Sequence, residues 1–126
     1  MPFVKVFLRE GKDEQYLSGL SRAIQEALVA EANVPADDQF QVLIELPATR
    51  LIAHPSYGNV ARGNDLVIIE ITLNAGRSVE IKKNLYQAIV RNLAFSSGVR
   101  PDDVLISLLE VTKENWSFGN GIATYT

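Results

Sequence analysis

The chain has 126 residues, with 12 Lys and Arg against 15 Asp and Glu, which gives a formal charge of −3. This length suits one domain with a sizeable core. The basic residues are scattered and form no aromatic-basic cluster, which argues against a nucleic-acid-binding protein. The absence of cysteine excludes disulfides and thiolate metal sites, and the single histidine, His54, disfavours a histidine-based metal site.

The N-terminal segment lacks the basic region and the apolar run that mark a signal peptide. No apolar run approaches the ~20 residues of a membrane span. The longest obvious run, residues 66–69, has the length of a buried strand. We therefore expect a cytoplasmic protein without a membrane partner.

The first half of the chain is predicted to be a strand, a helix and a strand. The first strand covers residues 3–8, and the second covers residues 40–46. Between them a helix begins at Asp13, the candidate N-cap, and ends near Asn33. The second half repeats this order, with strands at residues 65–73 and 104–111 and a helix capped by Ser78.

The two halves match without a gap when the chain is shifted by 65 residues. Identical pairs occur at core and turn positions, namely Leu8 with Leu73, Gly11 with Gly76, Leu20 with Leu85, Ile24 with Ile89, Asp37 and Asp38 with Asp102 and Asp103, and Glu45 with Glu110. Such a repeat predicts two copies of one β-α-β unit, with a right-handed crossover in each.

These units predict an α+β fold, with a four-stranded mixed sheet and both helices on one face. A single domain would contain the two halves, about 2–46 and 65–111, a connecting loop at 47–64 and a C-terminal hairpin at the Asn-Gly turn after Phe118. The loop is too long for a simple linker. We expect its Tyr57 and Arg62 to line a pocket, and Leu51 and Ile52 to form a short strand.

One face of this sheet is left without helices, although the strand at residues 66–71 is apolar on both sides. Leaving about eight apolar side chains uncovered, at ~2 kcal/mol each, would cost more than the stability of a typical domain. The sequence therefore predicts a homo-oligomer whose sheets face one another.

Pro2 would become the N-terminal residue if Met1 were removed. Its nitrogen would then be a secondary amine, and an α-amino pKa near ~8 falls when a cation or an apolar pocket lies close. Such an amine can act as general base, general acid or nucleophile. The structural alternative is that proline is simply tolerated at the first position of a strand.

The repeat supplies an internal control for candidate residues. Pro2 corresponds to Val67, which lies in mid-strand and has no free amine. Arg77 precedes the second helix, where its guanidinium could clamp a carboxylate with two parallel hydrogen bonds. Asp38 recurs as Asp103, so a purely structural role in a turn remains open for it.

Several segments resemble the tautomerase superfamily over nearly the whole chain. They are the Met-Pro start, residues 8–15, the later echo at residues 76–78 and the ending at residues 114–121. The resemblance is closest to two-unit members similar to malonate semialdehyde decarboxylase. It implies a β-α-β fold, a trimer of two-unit chains, and cofactor-independent catalysis by the N-terminal proline on small keto carboxylates.

Carried over by position, the resemblance implies roles for five residues. Pro2 matches the catalytic proline, Arg77 the arginine that binds the substrate carboxylate, and Asp38 the aspartate that assists water or orients the site. Trp116 and Phe118 match aromatic residues near the pocket.

The chain also departs from the family pattern. The decarboxylase has Arg-Pro-Arg before its second helix, whereas this chain has Ala75-Gly76-Arg77, so one cation is missing. The second arginine of the single-unit tautomerases falls here on Phe40 and, in the other half, on Leu105. Neither side chain can bind an anion.

Three functions follow as hypotheses. The first is a tautomerase in which neutral Pro2 moves a proton while Arg77 holds a carboxylate. The second is a decarboxylase or hydratase in which Pro2 is protonated and Asp38 activates water. The third is an oligomeric binding module without catalysis.

Overall fold

The computed structural model describes all 126 residues. Two β-α-β units follow one another along the chain, and their bounds are β1 (Phe3–Arg9), α1 (Glu14–Glu31), β2 (Gln41–Leu46), β3 (Val67–Asn74), α2 (Val79–Ser97) and β4 (Val104–Val111). The predicted α+β fold is confirmed, with a four-stranded mixed sheet and two helices. Both predicted caps form, because Asp13 accepts the Tyr16 N–H and Ser78 accepts the Ile81 N–H.

The strands lie in the order β2-β1-β3-β4. Pairing is parallel within each unit and antiparallel between β1 and β3 at the centre. The repeat extends to the register: Val4 lies opposite Gln41 in the first unit, and Ile69 lies opposite Ile106 in the second. Both pairs are related by the same shift of 65 residues, so the two units are structural copies.

The antiparallel junction decides which segments meet. Because β1 and β3 run in opposite directions, the start of β1 lies beside the end of β3, where Phe3 pairs with Thr72. The segment that leads into α2 is therefore brought to the beginning of the chain. The end of β1 lies beside the start of β3 at the opposite end of the sheet.

The core lies between the sheet and the helices. Alternate side chains of β1 and β3 point to this side, and those of Val6, Ile69 and Ile71 are fully buried. Leu20 and Ile24 of α1 meet them with no exposed surface. Burying each such side chain is worth roughly 1.5–3 kcal/mol, so this layer provides most of the stabilisation of the fold.

The other face of the sheet carries no helix. Val42 is 43% exposed there, Leu105 36% and Leu109 53%. One ion pair lies on the central strands of this face, with Lys5 Nζ 3.6 Å from Glu70 Oε1. This apolar surface is the one for which the sequence predicted a second copy of the chain as cover.

The connecting segment differs from the expectation at Leu51 and Ile52. They form no strand; a 3-10 turn at Ala48–Arg50 precedes them, Leu51 is buried and Ile52 is 89% exposed. The guanidinium of Arg9 donates to the carbonyls of Ala48, Leu51 and Asn64, so these backbone acceptors are occupied by a side chain and not by a neighbouring strand.

The C-terminal hairpin prediction is correct for the turn and wrong for the strands. Asn120 and Gly121 both have positive φ, and the Ile122 N–H donates to the Gly119 carbonyl, as in a tight hairpin turn. No ladder follows, because the Phe118 N–H is taken by the Thr124 hydroxyl. The tail folds back as a compact loop. Elsewhere in the chain, neither helix has the length and apolar character to cross a bilayer.

The uncovered face gives a test of self-association. We expect the protein to sediment as a multiple of its 13.9 kDa chain mass, and Leu109→Lys to lower that mass, because a charge would then be buried between sheets. Phe95→Lys is the matched control, since Phe95 is 95% exposed and lies on a helix. Equal masses for the Leu109→Lys variant and the unaltered protein would contradict the prediction.

Candidate active site

The start of β1 lies at the edge of a cavity. Pro2 is buried, and the Val4 N–H donates to the Phe40 carbonyl at 2.9 Å, which fixes the backbone on both sides. The cavity has a volume of about 440 Å³, within the range of roughly 300–1,000 Å³ that is typical of small-molecule sites. Its lining consists of Pro2, Phe3, Phe40, Trp116, Ser117, Phe118 and Gly119.

Aromatic rings form one wall of this cavity. Phe118 stacks on Trp116 with ring centres 5.4 Å apart, and on Phe40 with ring centres 6.1 Å apart. Tyr125 meets Phe118 edge-on at 5.6 Å. The Trp116 indole N–H donates to Asn74 Oδ1 at 2.6 Å, which ties the wall to the end of β3. Trp116 and Phe118 therefore lie beside Pro2, as the resemblance implied.

Arg77 is held by backbone carbonyls. Its Nε and Nη2 donate to the Ala32 carbonyl at 3.1 and 2.9 Å, and its Nη1 donates to the Asn74 carbonyl at 3.1 Å. Ala32 caps the C-terminus of α1, where the helix dipole favours a cation. Three of the five guanidinium N–H groups are used, which leaves one on each terminal nitrogen for an anion.

Asp38 has an oxygen without a partner. Its Oδ1 is buried and accepts no hydrogen bond. Its backbone is fixed on both sides, since its N–H donates to the Pro35 carbonyl and its own carbonyl accepts from the Gln25 amide. Burial raises the pKa of the Asp38 carboxyl; the chain's amino group opposes this effect, and the neighbouring Asp37 adds to it.

The amino group at the beginning of the chain feels both charged residues. Burial lowers the pKa of the Met1 amine below its ordinary value of 8.0, the Asp38 carboxylate opposes this shift, and the Arg77 guanidinium adds to it. The structure thus gathers the chain terminus, Asp38 and Arg77 at one end of the sheet. This end can hold an anion, bury an apolar group and present an amine that is readily neutral.

The equivalent end of the second unit is closed. Lys12, which corresponds to Arg77, pairs with Asp65 at 2.9 Å and lies over the Tyr16 ring. The Asp103 carboxylate, which corresponds to Asp38, accepts from Arg100 at 3.0 and 3.2 Å and from the Gly63 N–H at 2.7 Å. The crevice beside Lys12 has no room for a water molecule.

The electrostatics of the two aspartates differ accordingly. Burial raises the pKa of Asp103, but the hydrogen bonds from Arg100 and from the Gly63 N–H outweigh it and hold that pKa below its ordinary value. For Asp38 no such donors are present and burial prevails. Two residues that are identical in the repeat are therefore a satisfied structural acid at one end and an unsatisfied acid at the other.

Two loop residues are not where the sequence placed them. Tyr57 and Arg62 do not line the Pro2 cavity of the chain; they border a shallow cavity on the uncovered face with Ile68 and Leu105. Arg62 donates to the Tyr57 and Val60 carbonyls. The reason is topological, because the loop joins the end of β2 to the start of β3, and both lie at the sheet end opposite Pro2.

Sequence reasoning missed two parts of the site. Asn74, the last residue of β3, anchors both Trp116 and Arg77, and only its place before the Arg77 turn marked it. Phe40 was noted for its inability to bind an anion, but not as a wall of the cavity. No three His, Asp or Glu side chains lie close enough together to hold a metal ion.

Comparisons with known proteins agree with this geometry. Two family models, both described as tautomerase enzyme, match residues 38–119 and 2–59. The chain is 42% identical over 123 residues to the probable tautomerase YusQ of Bacillus subtilis (strain 168), which covers 98% of this chain and 97% of that protein.

Solved structures extend the match to the fold. The crystal structure of FG41 malonate semialdehyde decarboxylase inhibited by 3-bromopropiolate superposes with a TM-score of 0.91 at 32% identity, over 98% of this chain and 93% of that chain. A symmetric trimer of wild-type fused 4-OT gives a TM-score of 0.79 at 26% identity, over 95% and 94%. The chain belongs to the tautomerase family, as a two-unit member of that superfamily.

Proposed function

We propose that this protein is a keto-enol tautomerase of small carboxylate substrates, with the amine of Pro2 as general base after removal of Met1. One observation carries the proposal: the end of the sheet at which the chain begins is open, apolar and flanked by Arg77 and Asp38. The duplicated end, which lacks an amine, is closed by ion pairs. The similarity to the probable tautomerase YusQ supports the same reaction type.

The proposed reaction moves one proton. The neutral Pro2 nitrogen takes the enol hydroxyl proton of a 2-hydroxy-enoate, the carbonyl forms as the carbon-carbon double bond shifts, and the protonated amine returns the proton to carbon. Arg77 holds the substrate carboxylate through the two N–H groups that it does not spend on the backbone. Atoms and electrons balance without a cofactor.

Asp38 acts on the intermediate state of this cycle. When the amine carries the proton, its positive charge needs a counter-charge in an apolar environment. The buried oxygen of Asp38 has no other partner, and its carboxylate raises the amine pKa. Asp38 thus stabilises the protonated amine, whereas Arg77 and burial favour the neutral one.

Decarboxylation of a 3-oxo acid is the second candidate function. It is favoured by the likeness to FG41 malonate semialdehyde decarboxylase and by the free oxygen of Asp38, which could orient water. That reaction would use a protonated Pro2, and the lowered amine pKa works against it. Carbon dioxide release from a 3-oxo acid separates the two functions, because release no faster than background would exclude decarboxylation of that substrate.

We also propose that the active form is a homotrimer. The uncovered sheet face supplies the apolar surface, and the fused 4-OT neighbour is described as a trimer. The expected solution mass is three times 13.9 kDa.

The first prediction concerns pH. With an enol substrate, kcat/KM should rise with pH through an amine pKa below 8.0 and then level off, since only the neutral amine accepts a proton. Inserting an alanine before Pro2 turns its nitrogen into an amide, and the activity should fall by about 100-fold or more. Intact mass confirms the terminus of each protein. A flat profile from pH 5 to 8, or an active insertion variant, would remove the amine from the mechanism.

The second prediction uses the equivalent cations. Arg77→Lys keeps the charge but loses the fork, so kcat/KM should fall by roughly 10- to 100-fold. Lys12→Arg is the matched control and should leave kcat/KM unchanged, because Lys12 is paired with Asp65. Melting curves check that both variants fold. An unchanged kcat/KM in folded Arg77→Lys would exclude carboxylate binding by this residue.

The third prediction uses the equivalent aspartates. Asp103→Asn should lower the free energy of unfolding by about 1–3 kcal/mol, because two donors lose a charged acceptor. The effect should be present above pH 3.8 and vanish as the pH falls through the lower folded pKa. Asp38→Asn should keep the stability and lose about tenfold or more in kcat/KM. The reverse pattern, with Asp38 stabilising and dispensable for activity, would sink the assignment.

A further inference from the structure

We propose that the aromatic wall of the Pro2 cavity selects substrates with one carboxylate and a flat apolar substituent, such as an aryl-substituted 2-keto acid, and rejects dicarboxylates. Phe40 is the residue that decides this preference. The inference rests on the proposed tautomerase function, since it names the substrate class of the same site.

The charge is confined to one end of the site. Arg77 lies where α2 begins, and its two unused N–H groups suffice for one carboxylate. None of the seven side chains that line the cavity is charged. The cavity is therefore polar at the end that bears the amine and apolar along its aromatic wall.

No other cation of the chain is free to serve the apolar end. Lys12 is paired with Asp65, and Arg100 is paired with Asp103. Arg9 and Arg62 donate to backbone carbonyls of the connecting segment, at the opposite end of the sheet. A second carboxylate bound against Phe40 would lose its hydration without gaining a partner, which is costly.

The wall has an unsatisfied apolar surface of the right shape. Phe40 and Phe118 are 51% and 38% exposed, with ring planes only 12° apart, and Trp116 continues the stack at 23°. A further ring can lie against such a wall in the offset geometry that aromatic pairs prefer. A volume of about 440 Å³ accommodates a phenyl group as well as a three-carbon acid.

Phe40 is the specificity determinant because its position is fixed while its side chain is free. Its carbonyl accepts the Val4 N–H at 2.9 Å, which ties it to β1 two residues from Pro2. The half-exposed ring can be replaced without emptying the core. Trp116 and Phe118 hold the opposite side of the stack.

The experiment compares two enols that share a 2-keto acid skeleton and differ in one group, phenyl in phenylpyruvate and carboxylate in oxaloacetate. In the unaltered protein kcat/KM should favour the phenyl compound by about 100-fold. Phe40→Leu should reduce this ratio by about tenfold, and Phe40→Arg should reduce it further by raising the activity on the dicarboxylate. A preference for oxaloacetate enol, or a ratio that neither variant changes, would overturn the inference.

Binding separates this inference from the proposed function. Trp116 is the single tryptophan of the chain and lines the cavity, so its fluorescence reports occupancy directly. 3-Phenylpropanoate should bind more tightly than succinate to the unaltered protein, with the difference lost in Phe40→Arg. That result without any turnover would uphold the selectivity and refute the tautomerase. Turnover with equal binding of the two acids would do the opposite.

Discussion

The antiparallel pairing of β1 with β3 is the interaction on which the site depends. It sets Phe3 opposite Thr72, and it thereby places the beginning of the chain beside the end of β3 and the turn into α2. The residues that follow β3 then converge on the terminus: Asn74 anchors Trp116, and Arg77 is fixed between Asn74 and the end of α1. A parallel junction would separate these groups by the length of a strand, about 20 Å.

Duplication supplies this arrangement twice, and the chain uses the two ends differently. At one end a buried carboxylate, Asp103, has three hydrogen bonds, and a lysine is paired. At the other end a carboxylate oxygen is left without a partner and the pKa of an amine is lowered. Unsatisfied buried groups destabilise a fold, so their confinement to one copy is the physical mark of a functional site.

Much of the fold could be predicted from the sequence, because the apolar pattern and the repeat act locally and consistently. The strands, both helix caps and the shift of 65 residues all reappear in the structure, down to the register of the parallel pairs. The gathering of Pro2, Arg77, Trp116 and Phe118 followed from a family resemblance. Their roles in catalysis remain predictions.

The rest depends on contacts between residues that are distant in sequence. Asp38 and Asp103 look alike in the repeat, and only the Gly63 and Arg100 donors distinguish them. The carbonyls that Arg9 collects decided against a strand at Leu51, and the Thr124 hydroxyl decided against a C-terminal ladder. Side-chain donors that take backbone partners leave no periodic signal in a sequence.

A direct titration of the first nitrogen of the mature chain by 15N NMR tests the central claim, that an uncapped proline amine lies in an apolar site near a guanidinium. The account predicts a proline amine that titrates with a pKa below 8.0, the ordinary value of an α-amino group. A nitrogen that behaves as an amide at every pH, or an amine that titrates at or above 8.0, would contradict it.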